Sequence, residues 1–126
     1  PRLWTLVSRH WTHMYEYRAR ITRVIDGDTV EAEIDLGFHV RFTATLRLTG
    51  INAPETRGSE RAQGLAATQY LNSLLDDLTG DTRELLIRTQ KDRTGKYGRY
   101  LAELIVGEVN LNHALVAGGH AVPATY

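Results

Sequence analysis

Arg47-Leu-Thr-Gly-Ile-Asn-Ala-Pro-Glu55 is the stretch on which the reading of this chain turns. It closes an apolar, strand-like run and then breaks. Gly50 and Pro54 end regular structure, and a helical pattern begins a few residues later. It also gathers chemistry in one place. A permanent cation (Arg47), an amide oxygen (Asn52) and a carboxylate (Glu55) fall at a strand end and in the loop after it. Rigid scaffolds commonly carry their functional groups on such loops.

Moving towards the N-terminus, Val40 to Thr49 reads as a third strand with Val40, Phe42, Ala44, Leu46 and Leu48 on one face. Thr29 to Leu36 alternates in the same way, and Gly37 turns the chain. Tyr15 to Ile25 sets Tyr15, Tyr17, Ala19 and Ile21 against Glu16, Arg18, Arg20 and Thr22. Between the first two runs lies Asp26-Gly27-Asp28, a strong hairpin signal because glycine accepts positive φ. Three sequential strands with tight turns predict an antiparallel meander.

Moving towards the C-terminus, Gly50 to Gly58 is a loop. Ser59 is the expected helix cap, with Glu60 favourable in the first turn. Ala67, Leu71, Leu74, Leu75 and Leu78 recur at three and four, which predicts a long amphipathic helix to about Leu78. Leu85 to Thr89 and Tyr97 to Val106 read as the fourth and fifth strands, joined by a polar turn. Asn110 is placed to cap a last helix ending at Gly118-Gly119, and an irregular tail with Pro123 follows. The expected fold is α+β, mainly β. It is a five-stranded Greek-key barrel of the oligonucleotide-binding (OB) class, with a long helix after strand 3 and a C-terminal helix. Segregated strands and helices argue against a doubly wound parallel sheet.

The 126 residues suit one domain with a real core. There is no cysteine, so disulfides, thiolate nucleophiles and cysteine metal sites are excluded, and any metal must sit on oxygen or histidine. No run approaches the ~20 apolar residues of a membrane helix, so no membrane partner is expected. Formal net charge is zero, but its distribution is uneven. Residues 26–36 carry five acids and no base, whereas residues 83–99 carry six bases against two acids. One small domain could thus offer a cation site beside a polyanion site, or two solvated strand faces. Residues 1–13 read as an N-terminal extension, either foreign to the natural chain or an upstream addition to the domain, with a natural start expected at Met14 and the domain over 14–126. The run is too short and interrupted for a secretory signal, so the cytoplasm of a bacterium or phage-infected host is expected.

Three motifs then line up with one family. Val24-Ile-Asp-Gly-Asp-Thr-Val30, Arg47-Leu-Thr-Gly-Ile-Asn-Ala-Pro-Glu55 and Lys96-Tyr-Gly-Arg99 resemble, in order and spacing, the signatures of the staphylococcal nuclease (thermonuclease) family. Val109 to Gly119 is similar to that family's last helix, and the resemblance covers about residues 15–124. Met14-Tyr-Glu-Tyr17 and the short loop after Glu55 look like a phage-encoded branch.

The resemblance implies a Ca²⁺-dependent endonuclease that hydrolyses phosphodiester bonds of DNA, RNA or both, with little sequence preference and 3′-phosphate products. It implies that Asp28, Asn52 and the backbone carbonyl of Ala53 hold the metal. Asp26 is expected as a turn-stabilising or supporting acid. Glu55 is the implied general base, and Arg47 and Arg99 the two catalytic arginines. Tyr97, Lys96 and Tyr126 are the implied substrate contacts, with Tyr126 as a stacking group. The chemistry suits the residue types: carboxylate and amide oxygens match a hard cation, and guanidinium forks match phosphoryl oxygens. Asn52 is the departure, because the best-known member has aspartate there and the lost charge predicts weaker metal binding. His39, His113 and His120 show no metal spacing and read as structural or surface residues. A monomer is expected. The rival from another class is a non-catalytic nucleic-acid- or protein-binding OB module, and a third reading is a phosphodiesterase acting on a small nucleotide. Retention of Arg47, Glu55 and Arg99 together argues for catalysis.

Overall fold

The computed structural model describes residues 15–91 and 100–124. Strands β1 (Tyr15–Asp26), β2 (Thr29–Asp35) and β3 (Arg41–Leu48) form the expected antiparallel meander. Two short β elements and two further barrel strands follow: β4 (Ile51–Asn52), β5 (Glu84–Lys91), β6 (Tyr100–Val106) and β7 (Val109–Asn110). Helix α1 (Arg61–Thr79) lies between β4 and β5, and α2 (Leu111–Ala117) precedes β8 (Val122–Pro123).

The barrel closes on itself. Its strands run in the order β3-β2-β1-β5-β6, and β6 returns to β3 in parallel through Leu46–Tyr100, Arg47–Leu101 and Leu48–Ala102. Closure removes sheet edges and pins the end of β3, the strand that carries Arg47. Inward-facing side chains fill the barrel, among them Ile21, Val30, Ala32, Leu46, Leu48, Ile87 and Leu104. Leu71 and Leu75 of α1 and Leu111 and Leu115 of α2 are fully buried in the same core. At ~25 cal/mol per Å² of buried apolar surface, each such leucine contributes about 1.5–3 kcal/mol.

One polar residue joins this core. Asn112 of α2 is only 1% exposed. Its Nδ2 donates to the carbonyls of Thr49 and Ala102, each at 3.0 Å, and its Oδ1 accepts from the Leu104 N–H at 3.2 Å. It thus ties the exit of β3 to β6 and the last helix.

Four sequence expectations need correction. Gly27 does not take positive φ. Its small size matters instead, because a Cβ there would lie 2.7 Å from the Ala67 Cβ and 2.8 Å from the Ala53 Cβ. Ser59 does not cap α1. Gly58–Glu60 form a 3-10 turn, and Glu60 is the N-cap without a side-chain capping bond. The Glu60 carboxylate turns back to accept the Glu55 N–H at 3.1 Å. The tail is not wholly irregular, since β8 pairs antiparallel with β4. Finally, the apolar face of β3 is buried only towards its end: Val40 and Phe42 are exposed, while Leu46 and Leu48 are fully covered. Asn110 does cap α2, accepting the His113 N–H at 3.2 Å.

Candidate active site

The strand registers bring the motif residues together. Asp26 pairs with Thr29 across the turn, so Gly27-Asp28 forms a two-residue loop at one barrel end. Thr29 in turn pairs with Arg47 on β3, which sets Arg47 beside Asp28. The chain then turns at Gly50, and the β4–β8 pairing presents Asn52 and Ala53 to the same end.

Asp28 is held from all sides. Its Oδ1 accepts the Thr29 hydroxyl at 3.0 Å and its Oδ2 accepts the Ala53 N–H at 2.8 Å. Arg47 Nη1 lies 3.1 Å from Oδ2, with both side chains about nine-tenths buried. The same Nη1 donates to the Asp28 carbonyl at 3.2 Å, which also accepts the Leu48 N–H at 2.8 Å. Arg47 Nη2 donates to Asn52 Oδ1. A guanidinium so placed links two of the expected metal ligands.

Glu55 is exposed at the rim, and its backbone is fixed more firmly than its side chain. Its N–H is taken by Glu60, and its carbonyl lies directly over Gly64 of α1. A Cβ at position 64 would stand 2.1 Å from the Glu55 oxygen and 2.8 Å from the Thr56 nitrogen. Only glycine lets the helix approach the loop this closely.

Asp28, Arg47, Asn52, Ala53 and Glu55 all line one open cleft of about 920 Å³. Asp26 lines it too and is more than a turn residue. Its Oδ1 is buried and has no hydrogen-bond partner among the described residues. Burial pushes its carboxyl up from 3.8 to about 6, helped by the hydrogen bond and charge of Asp28. Sequence reasoning gave no site role to Arg57, Glu60 or His120, which line the same cleft. The doubled acid of Asp26-Gly-Asp28 was the available signal for Asp26. Nothing local marks His120, which arrives from a distant segment and stacks on Tyr70 with ring centroids 4.4 Å apart. Lys96, Tyr97, Arg99 and Tyr126 lie outside the described residues.

The donors suit a hard divalent cation. Two carboxylates, an amide oxygen and a main-chain carbonyl make an all-oxygen set, and the orphaned Asp26 Oδ1 is the partnerless acceptor that such an ion would satisfy. Among the described residues no three His, Asp or Glu side chains form a ready-made metal cluster. Any ion held here would therefore rely on neutral oxygens as well as carboxylates.

Residues 45–126 match the sequence profile of the family described as staphylococcal nuclease homologue. The chain belongs to that family. It is also 30% identical over 115 residues to the endonuclease YhcR of Bacillus subtilis (strain 168). That alignment covers 84% of this chain and 9% of the relative, so the domain corresponds to a small part of a much longer protein. The family match begins within β3 and so includes Arg47, Asn52, Ala53 and Glu55, while Asp26 and Asp28 precede it. It does not place this staphylococcal nuclease homologue in a phage-encoded branch. No described helix is long and apolar enough to cross a membrane.

Proposed function

We propose that this domain is a Ca²⁺-dependent endonuclease that hydrolyses phosphodiester bonds of DNA, RNA or both, with low sequence specificity and 3′-phosphate products. The observation that carries the reading is the meeting of Asp28, Arg47, Asn52, Ala53 and Glu55 in one cleft. Family membership and an endonuclease relative support it.

In this reading Asp28, Asn52 and the Ala53 carbonyl hold the cation. When bound, the ion supplies Lewis-acid stabilisation of charge on the phosphoryl oxygens. Glu55 takes a proton from a water aligned with the phosphorus, and its fixed backbone keeps the carboxylate within reach. Arg47 donates paired hydrogen bonds to the equatorial oxygens as negative charge builds there. Arg99 is assigned the second clamp, Lys96 and Tyr97 the phosphate approach and Tyr126 base stacking, all by resemblance. The domain acts as a monomer, since the proposed roles all fall within one chain.

The test is cleavage of single- and double-stranded DNA and of RNA by wild type and Glu55→Gln, with millimolar Ca²⁺ and with chelator. Loss of about 10²–10⁴-fold in rate for Glu55→Gln, at unchanged metal binding, is expected from loss of a general base. A wild type that binds nucleic acid but cuts nothing in Ca²⁺ would replace this reading with the non-catalytic module. Asn52, where the best-known relative has aspartate, is the residue favouring that second reading.

A further inference from the structure

Among the described residues, four acids (Asp26, Asp28, Glu55 and Glu60) and two arginines, Arg47 and Arg57, line the cleft. Arg47 is committed to Asp28 and Asn52. Arg57 is exposed, and among the described residues it makes no ion pair. It stands at the start of the 3-10 turn, two residues past the proposed base and between Glu55 and Glu60 in sequence. His120 enters from a different element, at the turn after α2. Its ring orientation is set by the stack on Tyr70, its backbone N–H donates to the Leu115 carbonyl at 2.9 Å, and the residue is partly exposed. Gly118 completes the fit, since a Cβ there would lie 2.7 Å from the Tyr70 hydroxyl.

We infer that Arg57 and His120 form a second phosphate-binding subsite at the lip of the cleft, which takes the phosphate next to the reacting one on a polynucleotide strand. This rests on the nuclease reading and sharpens it, because it makes a strand, not a single nucleotide, the substrate. The physical need is plain. Glu55 and Glu60 line the same cleft and repel a strand, and the exposed Arg57 guanidinium, which makes no ion pair among the described residues, offsets that repulsion and offers paired donors to phosphate. His120 adds a directional imidazole N–H donor from a separate element of the same cleft. Neither group reads bases, so the subsite lengthens the footprint without adding sequence preference.

The test is binding of a fluorescein-labelled single-stranded DNA decamer, in chelator to prevent cleavage, followed by anisotropy over a salt series. Deoxythymidine 5′-monophosphate is the one-phosphate comparison, and Arg41→Gln, at the far end of β3, the charge control. Arg57→Gln should weaken decamer binding several-fold and flatten the salt slope by about 0.7, the value for one phosphate contact on a single strand. Affinity for the mononucleotide should stay unchanged. His120→Gln should give the same selective loss, and Arg57→Lys should recover part of it. Equal losses on both probes, an equal loss from Arg41→Gln, no loss at all, or a wild type that fails to bind the decamer would each overturn the subsite. Selective decamer binding through Arg57 by a wild type that cuts nothing in Ca²⁺ would leave the subsite standing and remove only the catalytic reading.

Discussion

Arg47 bridges Asp28 and Asn52: its guanidinium lies 3.1 Å from the Asp28 carboxylate and donates its other nitrogen to the Asn52 side-chain oxygen. In the metal-free domain the arginine is therefore the counter-charge of the very oxygens proposed to hold a cation. An ion held there would compete with the guanidinium, and Arg47 would then be available to phosphate.

The competition makes the effect of charge at position 52 predictable. Asn52→Asp adds a negative charge that attracts both Arg47 and the incoming ion. A divalent cation gains twice as much as a guanidinium at the same distance, so the balance moves towards metal. Ca²⁺ affinity should rise about tenfold by calorimetric titration, in line with the dependence of such sites on ligand charge. An unchanged or lower affinity would show that Arg47 wins the added charge.

Asp26 gives a stability prediction with a definite sign. In the metal-free fold its carboxyl is pushed up from 3.8 to about 6. Between these values the folded chain binds more protons than the unfolded one, so stability falls as pH rises through that window and stays lower above it. The shift corresponds to at most about 3 kcal/mol. Asp26→Asn should stabilise the metal-free domain by about 1–3 kcal/mol at pH 7.5 and change little at pH 3.5, as read from urea unfolding at the two pH values.

Gly64 should separate activity from stability. The Cβ of Gly64→Ala would stand 2.1 Å from the Glu55 carbonyl oxygen, so loop or helix must yield by roughly 1 Å. A displacement of that size near a reacting group typically costs about 100-fold in rate. The expected result is a large fall in kcat with little change in KM, in a protein that still unfolds cooperatively.

Asn112 should behave in the opposite way. Replacing it with Leu strips the Asn112 bonds from the Thr49 carbonyl and the Leu104 N–H, while the Ala102 carbonyl keeps the Thr49 N–H at 2.9 Å. Buried groups left unpaired cost ~1–3 kcal/mol each, relieved in part by relaxation. A net loss of about 2–4 kcal/mol in chemical unfolding is expected, with metal affinity of the remaining folded protein largely kept.

Much of this architecture was legible in the residue pattern, for reasons that also mark where legibility ended. Alternation in β1 and β2 and the three-and-four recurrence in α1 report burial on one face, a local property of the chain. The five motif residues described at the cleft were named by resemblance, and their meeting there follows from two short segments joined by the Thr29–Arg47 register. Gly27 was misread because its constraint comes from Ala53 and Ala67, residues far away in sequence. The pairing of β4 with β8 escaped notice since two-residue strands leave no periodicity. His120 was set aside on spacing, and only the turn after α2 brings it to the cleft.

The contact at Gly64 also gives a way to sort relatives. A binding-only member has no reason to keep the loop carbonyl against the helix, whereas a cutting one does. A chain that keeps glutamate at position 55 but bears a larger residue at position 64 would carry the signature of a nuclease on a frame that cannot aim it. The helix residue, which touches no substrate, would then be a better guide to chemistry than the carboxylate itself.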